Sequence, residues 1–221
     1  MKEPATATAH SPEITSLVEG YRRFREVGWT PHRERWAALG EKQEPRVMVI
    51  ACSDSRVDPA QIFDVDPGEI FVVRNVAALV PPYETTPGRH GVSAALEFAV
   101  QVLKVKEIVV LGHGLCGGCR AALTQELRGS GQGEGGFIAD WIALLEDARE
   151  EVVQVHGARG RDAERAMEQA GVRVSLNNLR SFPYVQQKEK AGELRLSGAF
   201  FAISDGILHL MQDDGSFAPA L

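Results

Sequence analysis

The chain has 221 residues, 44% hydrophobic and 24% charged, which excludes wholesale disorder and suits a globular protein of one domain with added helices. Its 24 Lys+Arg stand against 30 Asp+Glu, a net charge of −6, so it offers no basic footprint for nucleic acid or an anionic membrane. No apolar run reaches the ~20 residues of a membrane span. Met1-Lys2-Glu3-Pro4-Ala5 lacks a signal-peptide pattern, so a cytoplasmic location is expected.

Residues 1–12, rich in Ala, Thr, Ser and Pro, read as a flexible tail, and 13–221 as a single domain opening with a helical arm over 13–40. Within the arm, one helix is expected over 14–27 and a second from Pro31, a residue suited to a first helical turn. The apolar runs 47–51, 70–73 and 108–111 read as strands buried on both faces. Ala95, Phe98, Ala99 and Val102 recur at helical spacing over 92–103, between the second and third strands. Strand, helix, strand implies a mainly parallel sheet flanked by helices, an α/β fold. A helix over 117–127 precedes the glycine-rich segment 129–136, which lacks the Gly-Lys-Ser/Thr ending of a phosphate loop and reads as a surface loop. Further helices are expected over 138–155, 162–170 and 174–179. The segments 193–203 and 207–211, flanking Ser204-Asp205-Gly206, read as a late antiparallel hairpin.

Two segments carry chemistry. Cys52-Ser53-Asp54-Ser55-Arg56 follows the first strand, and alternation in an extended chain puts Cys52, Asp54 and Arg56 on one side. His113-Gly114-Leu115-Cys116-Gly117 follows the third. Both lie at the C-terminal ends of strands, the edge where open α/β sheets bind ligands. If those strands are neighbours, Cys52, His113 and Cys116 converge as a soft donor set that suits Zn²⁺ and leaves a fourth position open. Cys116 enters a helix N-terminus, which favours a thiolate. Asp54 can either bind the metal or pair with Arg56 and leave the site open.

This pattern resembles the β-class carbonic anhydrases. The likeness is strong over residues 43–127, including Pro67-Gly68-Glu69, Arg74-Asn75-Val76-Ala77 and Ala95-Leu96-Glu97, and weaker over 175–183 and 198–206. It implies reversible hydration of carbon dioxide to bicarbonate and a proton, by attack of a zinc-bound hydroxide oriented by Asp54. It also implies one zinc per chain on Cys52, His113 and Cys116, with Asp54 as switchable fourth ligand and Arg56 as its partner. By position, Gln43 binds substrate across a homodimer, and Phe71, Val76, Phe98 and Gly117 form the carbon dioxide pocket. The arm embraces the partner, the second strand lies at the interface, and a homotetramer of two such dimers is consistent with the pattern. Some members carry a second bicarbonate site with a tryptophan where this chain has Val49, so the non-allosteric subtype is expected. Ala78 stands where asparagine is common.

Two other functions compete: a related zinc lyase acting on carbon disulfide or carbonyl sulfide, and a non-enzymatic zinc or redox module using Cys116 and Cys119. Cys119 shares a helix face with Leu123 and Leu127, which reads as core. Arg74 reads as structural. His10, His32, His156 and His209 read as exposed residues, and His90 as a loop residue.

Overall fold

The computed structural model describes residues 10–221, which divide into two compact units, the first ending at Gln43 and the second beginning at Glu44. Residues 1–9 of the expected tail lie outside the described residues, and Ser11 already belongs to a helix cap. Its hydroxyl accepts from the Ile14 amide (3.3 Å) at the start of α1 (Pro12–Phe24). A π-helical turn (Arg25–Trp29) and a 3₁₀ turn (Thr30–His32) lead into α2 (Arg33–Glu41). Trp36 ties this helical arm together, packing edge-on against Phe24 and donating from Nε1 to the Gly28 carbonyl (3.3 Å).

The second unit is built on β1 (Val47–Cys52), β2 (Ile70–Asn75), β3 (Glu107–His113), β4 (Arg195–Ala202), β5 (Ile207–Met211) and β6 (Phe217–Pro219). The sheet order is β2-β1-β3-β4-β5-β6. The first four strands are parallel, and β5 and β6 add as antiparallel neighbours. The helices are α3 (Pro59–Ile62), α4 (Gly91–Glu97), α5 (Gly117–Thr124), α6 (Gly136–Ile142), α7 (Glu146–His156), α8 (Arg161–Leu179) and α9 (Pro183–Lys190). One sheet face, with Met48, Ile50, Ile108 and Val110, packs on Leu96, Val100, Val172, Leu176 and Phe182. The other, with Val49, Ala51, Leu111 and Ala199, is covered by Ile62, Phe63 and Leu208. A further core among α5, α6, α7 and α8 contains Leu123, Ile142, Leu145 and Met167. The expected α/β architecture, with its arm and late hairpin, is therefore present.

Several local expectations need correction. β2 is not buried on both faces: it is a sheet edge, and Val72 remains 37% exposed. The helices expected over 162–170 and 174–179 are one helix, α8. Glycine inside a helix costs about 1 kcal/mol against alanine, but Gly171 lies among the buried residues Ala170, Val172, Ser175 and Leu176, whose packing offsets that cost. α9 and β6 fall outside the expected elements: α9 is short and largely polar, and β6 is three residues long. The helix over 92–103 ends as a π-helical stretch (Phe98–Leu103) capped by Lys104 in the left-handed region (φ 58).

Candidate metal centre and active site

β1 and β3 are adjacent and parallel, with Ala51 opposite Leu111, so the segments that follow them emerge side by side. The Cys52 and Cys116 sulfurs and a His113 ring nitrogen all lie within 4.8 Å of one another. All three residues are buried. His113 Nδ1 donates to the Gly114 carbonyl (2.8 Å), which fixes the tautomer. That leaves Nε2 buried with an unused lone pair and no hydrogen-bond partner. An orphaned imidazole nitrogen facing two thiols is what a soft divalent ion needs, so the donor set fits zinc.

The Cys52–Cys116 sulfur contact is 4.0 Å. Pairing with Cys116, then burial, pushes the Cys52 thiol up to about 12. Contact with Cys119 does the same for Cys116, also to about 12. The helix N-terminus at Cys116 still favours the thiolate, as expected, but in the metal-free site other influences oppose it. Neighbouring sulfurs and desolvation raise the thiol, and a cation in their midst would favour the thiolates. Cys119 is 3% exposed and packs in the helix core with Leu123 and Met167, outside the donor cluster.

Asp54 and Arg56 share one side of the chain by a different route from the one expected. The segment after β1 turns rather than extends, and the Arg56 amide donates to Asp54 Oδ1 (3.0 Å). The Arg56 guanidinium folds back onto the same carboxylate through Nε (2.9 Å) and Nη2 (2.7 Å). This two-pronged pairing holds the Asp54 carboxyl well below the usual carboxylate range. Arg74 fixes the turn from β2. It donates to the Cys52 carbonyl (2.9 Å), the Asp54 carbonyl (2.6 Å) and the Asp58 carboxylate (3.0 Å), a structural role as expected.

A cleft of about 480 Å³ opens beside this pair, lined by Asp54, Arg56, Cys116, Gly117, Arg120, Arg161 and Glu168 among others. Gly117 has open space around its Cα. The other expected pocket residues sit elsewhere on the second unit. The Phe71 and Phe98 rings lie 5.9 Å apart, and Val76 abuts Gly118, where an added Cβ would come within 2.8 Å of it. Val76 is 37% and Phe98 41% exposed, and neither lines the cleft. Gln43 is exposed at the end of the first unit. His90 donates from Nε2 within its own loop, to the Thr86 carbonyl (2.9 Å). His209 departs from expectation: it is half-buried against Phe200, 3.5 Å from the Arg165 guanidinium.

The sequence reading missed Glu168. It is 3% exposed on α8, its Oε1 accepts from the Cys116 amide (3.2 Å), and its Oε2 is buried without a partner among the described residues. Burial pushes its carboxyl up to about 7. The available signal was its place four residues before Val172, on a face continued by Ser175 and Leu176.

A parallel α/β sheet with a thiol–imidazole donor set at its strand ends points to a class, the α/β proteins that work through a bound metal. Comparison with known proteins narrows it. The family model described as "Carbonic anhydrase" matches residues 47–208. "Beta carbonic anhydrase 5, chloroplastic" of Arabidopsis thaliana is 36% identical over 190 residues, 86% of this chain and 62% of its own length. The structure of the β-carbonic anhydrase CcaA overlays with a TM-score of 0.87 at 29% identity, over 96% of this chain and 93% of its own. One of two tetrameric β-carbonic anhydrases of the filamentous ascomycete Sordaria macrospora overlays with a TM-score of 0.73 at 26% identity, over 93% of this chain and 98% of its own. The chain belongs to the β-class carbonic anhydrases. Zinc is the metal of that family, and the Cys-His-Cys cluster can hold one such ion. No helix among the described residues is long and apolar enough to cross a membrane.

Proposed function

We propose that this protein hydrates carbon dioxide reversibly to bicarbonate and a proton. The observation that carries the reading is the convergence of Cys52, His113 and Cys116 beside an Asp54 held by Arg56. In this reading the three converged residues hold zinc, which supplies the Lewis acidity that makes water a nucleophile near neutral pH.

The remaining roles belong to the chain's own residues. Asp54, engaged by Arg56, is kept off the fourth position, which favours the open, non-allosteric form of the site. Ionised there, it accepts a hydrogen bond from the attacking oxygen and sets its direction. Gly117 lines the cleft, and we assign Phe71, Val76 and Phe98, which lie outside it in the single chain, to an apolar slot for a small, uncharged substrate that a second chain completes. Gln43 donates to the anionic product. We assign Gln43 to the site of a second chain, so the working form is at least a homodimer with residues 13–221 as its functional domain. The half-exposed Val72, Val76, Phe98 and Val102 support this, because such surface is ordinarily covered. A tetramer like that of the Sordaria structures is the natural larger assembly. The three free cysteines suit a reducing compartment such as the cytoplasm.

The test is Cys52→Ser. The reading expects zinc content near zero and loss of carbon dioxide hydration in a stopped-flow assay, in a protein that remains folded. A variant that keeps both zinc and activity contradicts it.

A further inference from the structure

We propose that Glu168 is a positioning residue for the metal centre and its gate, acting through the single peptide that joins Leu115 to Cys116. The inference rests on the reading of the site given above. The Leu115 carbonyl accepts from Arg56 Nη2 (3.0 Å), and the Cys116 amide donates to Glu168 Oε1 (3.2 Å). These are the two poles of one peptide plane. One pole is held by the residue that engages Asp54, and the other by a carboxylate from a different helix.

The plane needs holding. Leu115 sits at φ 61, a left-handed conformation that costs a non-glycine residue roughly 1–2 kcal/mol. Rotation of the peptide, about ψ of Leu115 and φ of Cys116, would move the Cys116 sulfur and the Leu115 carbonyl together. Glu168 is anchored in α8 between Met167, which is fully buried, and the buried pair Ala170 and Val172, so its carboxylate is a rigid post. A carboxylate accepting from an amide makes the carbonyl of that peptide a better acceptor, here for Arg56. The chain of contacts runs from Glu168 through the peptide to Arg56, and from Arg56 to Asp54. Packing alone does not explain the residue: an apolar side chain would fill the space without the cost of burying a carboxylate.

The experiment compares Glu168→Gln, which keeps an acceptor in place, with Glu168→Met, which keeps volume but has none. Each full-length protein is loaded with cobalt(II) for its thiolate charge-transfer and d–d bands. Zinc affinity is measured by chelator competition, and kcat and KM are measured on the zinc form. Glu168→Gln should keep the wild-type cobalt spectrum and stay within a few-fold in zinc affinity. Glu168→Met, folded by circular dichroism, should show a shifted cobalt spectrum, zinc affinity weakened roughly 10–100-fold, and a loss carried by kcat rather than KM. A Glu168→Met protein with the wild-type spectrum and affinity overturns the proposal, as does a Glu168→Gln protein as damaged as Glu168→Met. If Glu168→Met does not fold, amide exchange in the zinc-loaded wild type decides. The Cys116 amide should be strongly protected, and exchange at the rate of an exposed amide overturns the proposal. The cobalt and affinity readings do not depend on hydration. A wild type that fails to hydrate carbon dioxide would refute the proposed function while leaving this inference to be judged on its own readings.

Discussion

One guanidinium serves two acceptors at the candidate site: Arg56 grips both oxygens of Asp54 and also the Leu115 carbonyl. At this scale charge and geometry decide the outcome. The Asp54 carboxyl is pulled down by its partner, so it remains ionised through the neutral range and can only accept. Replacing Arg56 by alanine frees that carboxylate to reach the open position. We expect Arg56→Ala to keep zinc but lose about 10–100-fold in kcat/KM, read by metal analysis and stopped-flow hydration on one sample. Wild-type activity in that variant would show that the pair is ornamental. Cys52, Asp54, Arg56, His113 and Cys116 were all legible in the sequence, because each lies in a short motif at the end of an apolar strand. Glu168 was not, because its partner is a backbone amide and backbone partners leave no motif.

Elements explain where the sequence reading succeeded and where it failed. β1 and β3 are central strands, and their unbroken apolar runs reported burial on both faces. β2 has the same composition but lies at an edge, and composition alone cannot tell a covered face from one awaiting a neighbour. The expected helices over 162–170 and 174–179 are one continuous α8, whose Gly171 is held by buried packing that overrides its weak helix propensity. Local strain also yields a stability prediction. Lys104 is exposed and closes its helix at φ 58, so Lys104→Gly should raise stability by about 1 kcal/mol. A fall in the denaturation midpoint would contradict this. The β4–β5 hairpin adds a pH dependence through His209, whose pKa is lowered first by burial and then by Arg165, with Asp205 opposing. A histidine depressed in the folded state contributes stability above its unfolded value near 6.5, and that contribution is lost as pH falls. The Tm advantage of wild type over His209→Gln should therefore shrink between about pH 8 and about pH 5.5. A constant difference would count against this reading.

The whole molecule is defined by what one chain leaves uncovered. On α1, Leu17 is 69% and Tyr21 56% exposed, and Val27 in the following turn is 72% exposed. Burying one such aliphatic side chain contributes about 1.5–3 kcal/mol, so several of them supply a strong drive to associate. The double variant Leu17→Glu with Val27→Glu should sediment as a monomer and lose most hydration activity while keeping zinc. An active monomer would remove Gln43 of a second chain from the account. That assembly was legible only through family resemblance, since no single-chain pattern names its partner. The central claim is tested most directly by stopped-flow carbon dioxide hydration on the wild-type protein with zinc measured on the same sample. The account predicts one zinc per chain and rapid hydration that disappears with the metal. A fully zinc-loaded, assembled protein with no hydration above the uncatalysed rate would contradict it.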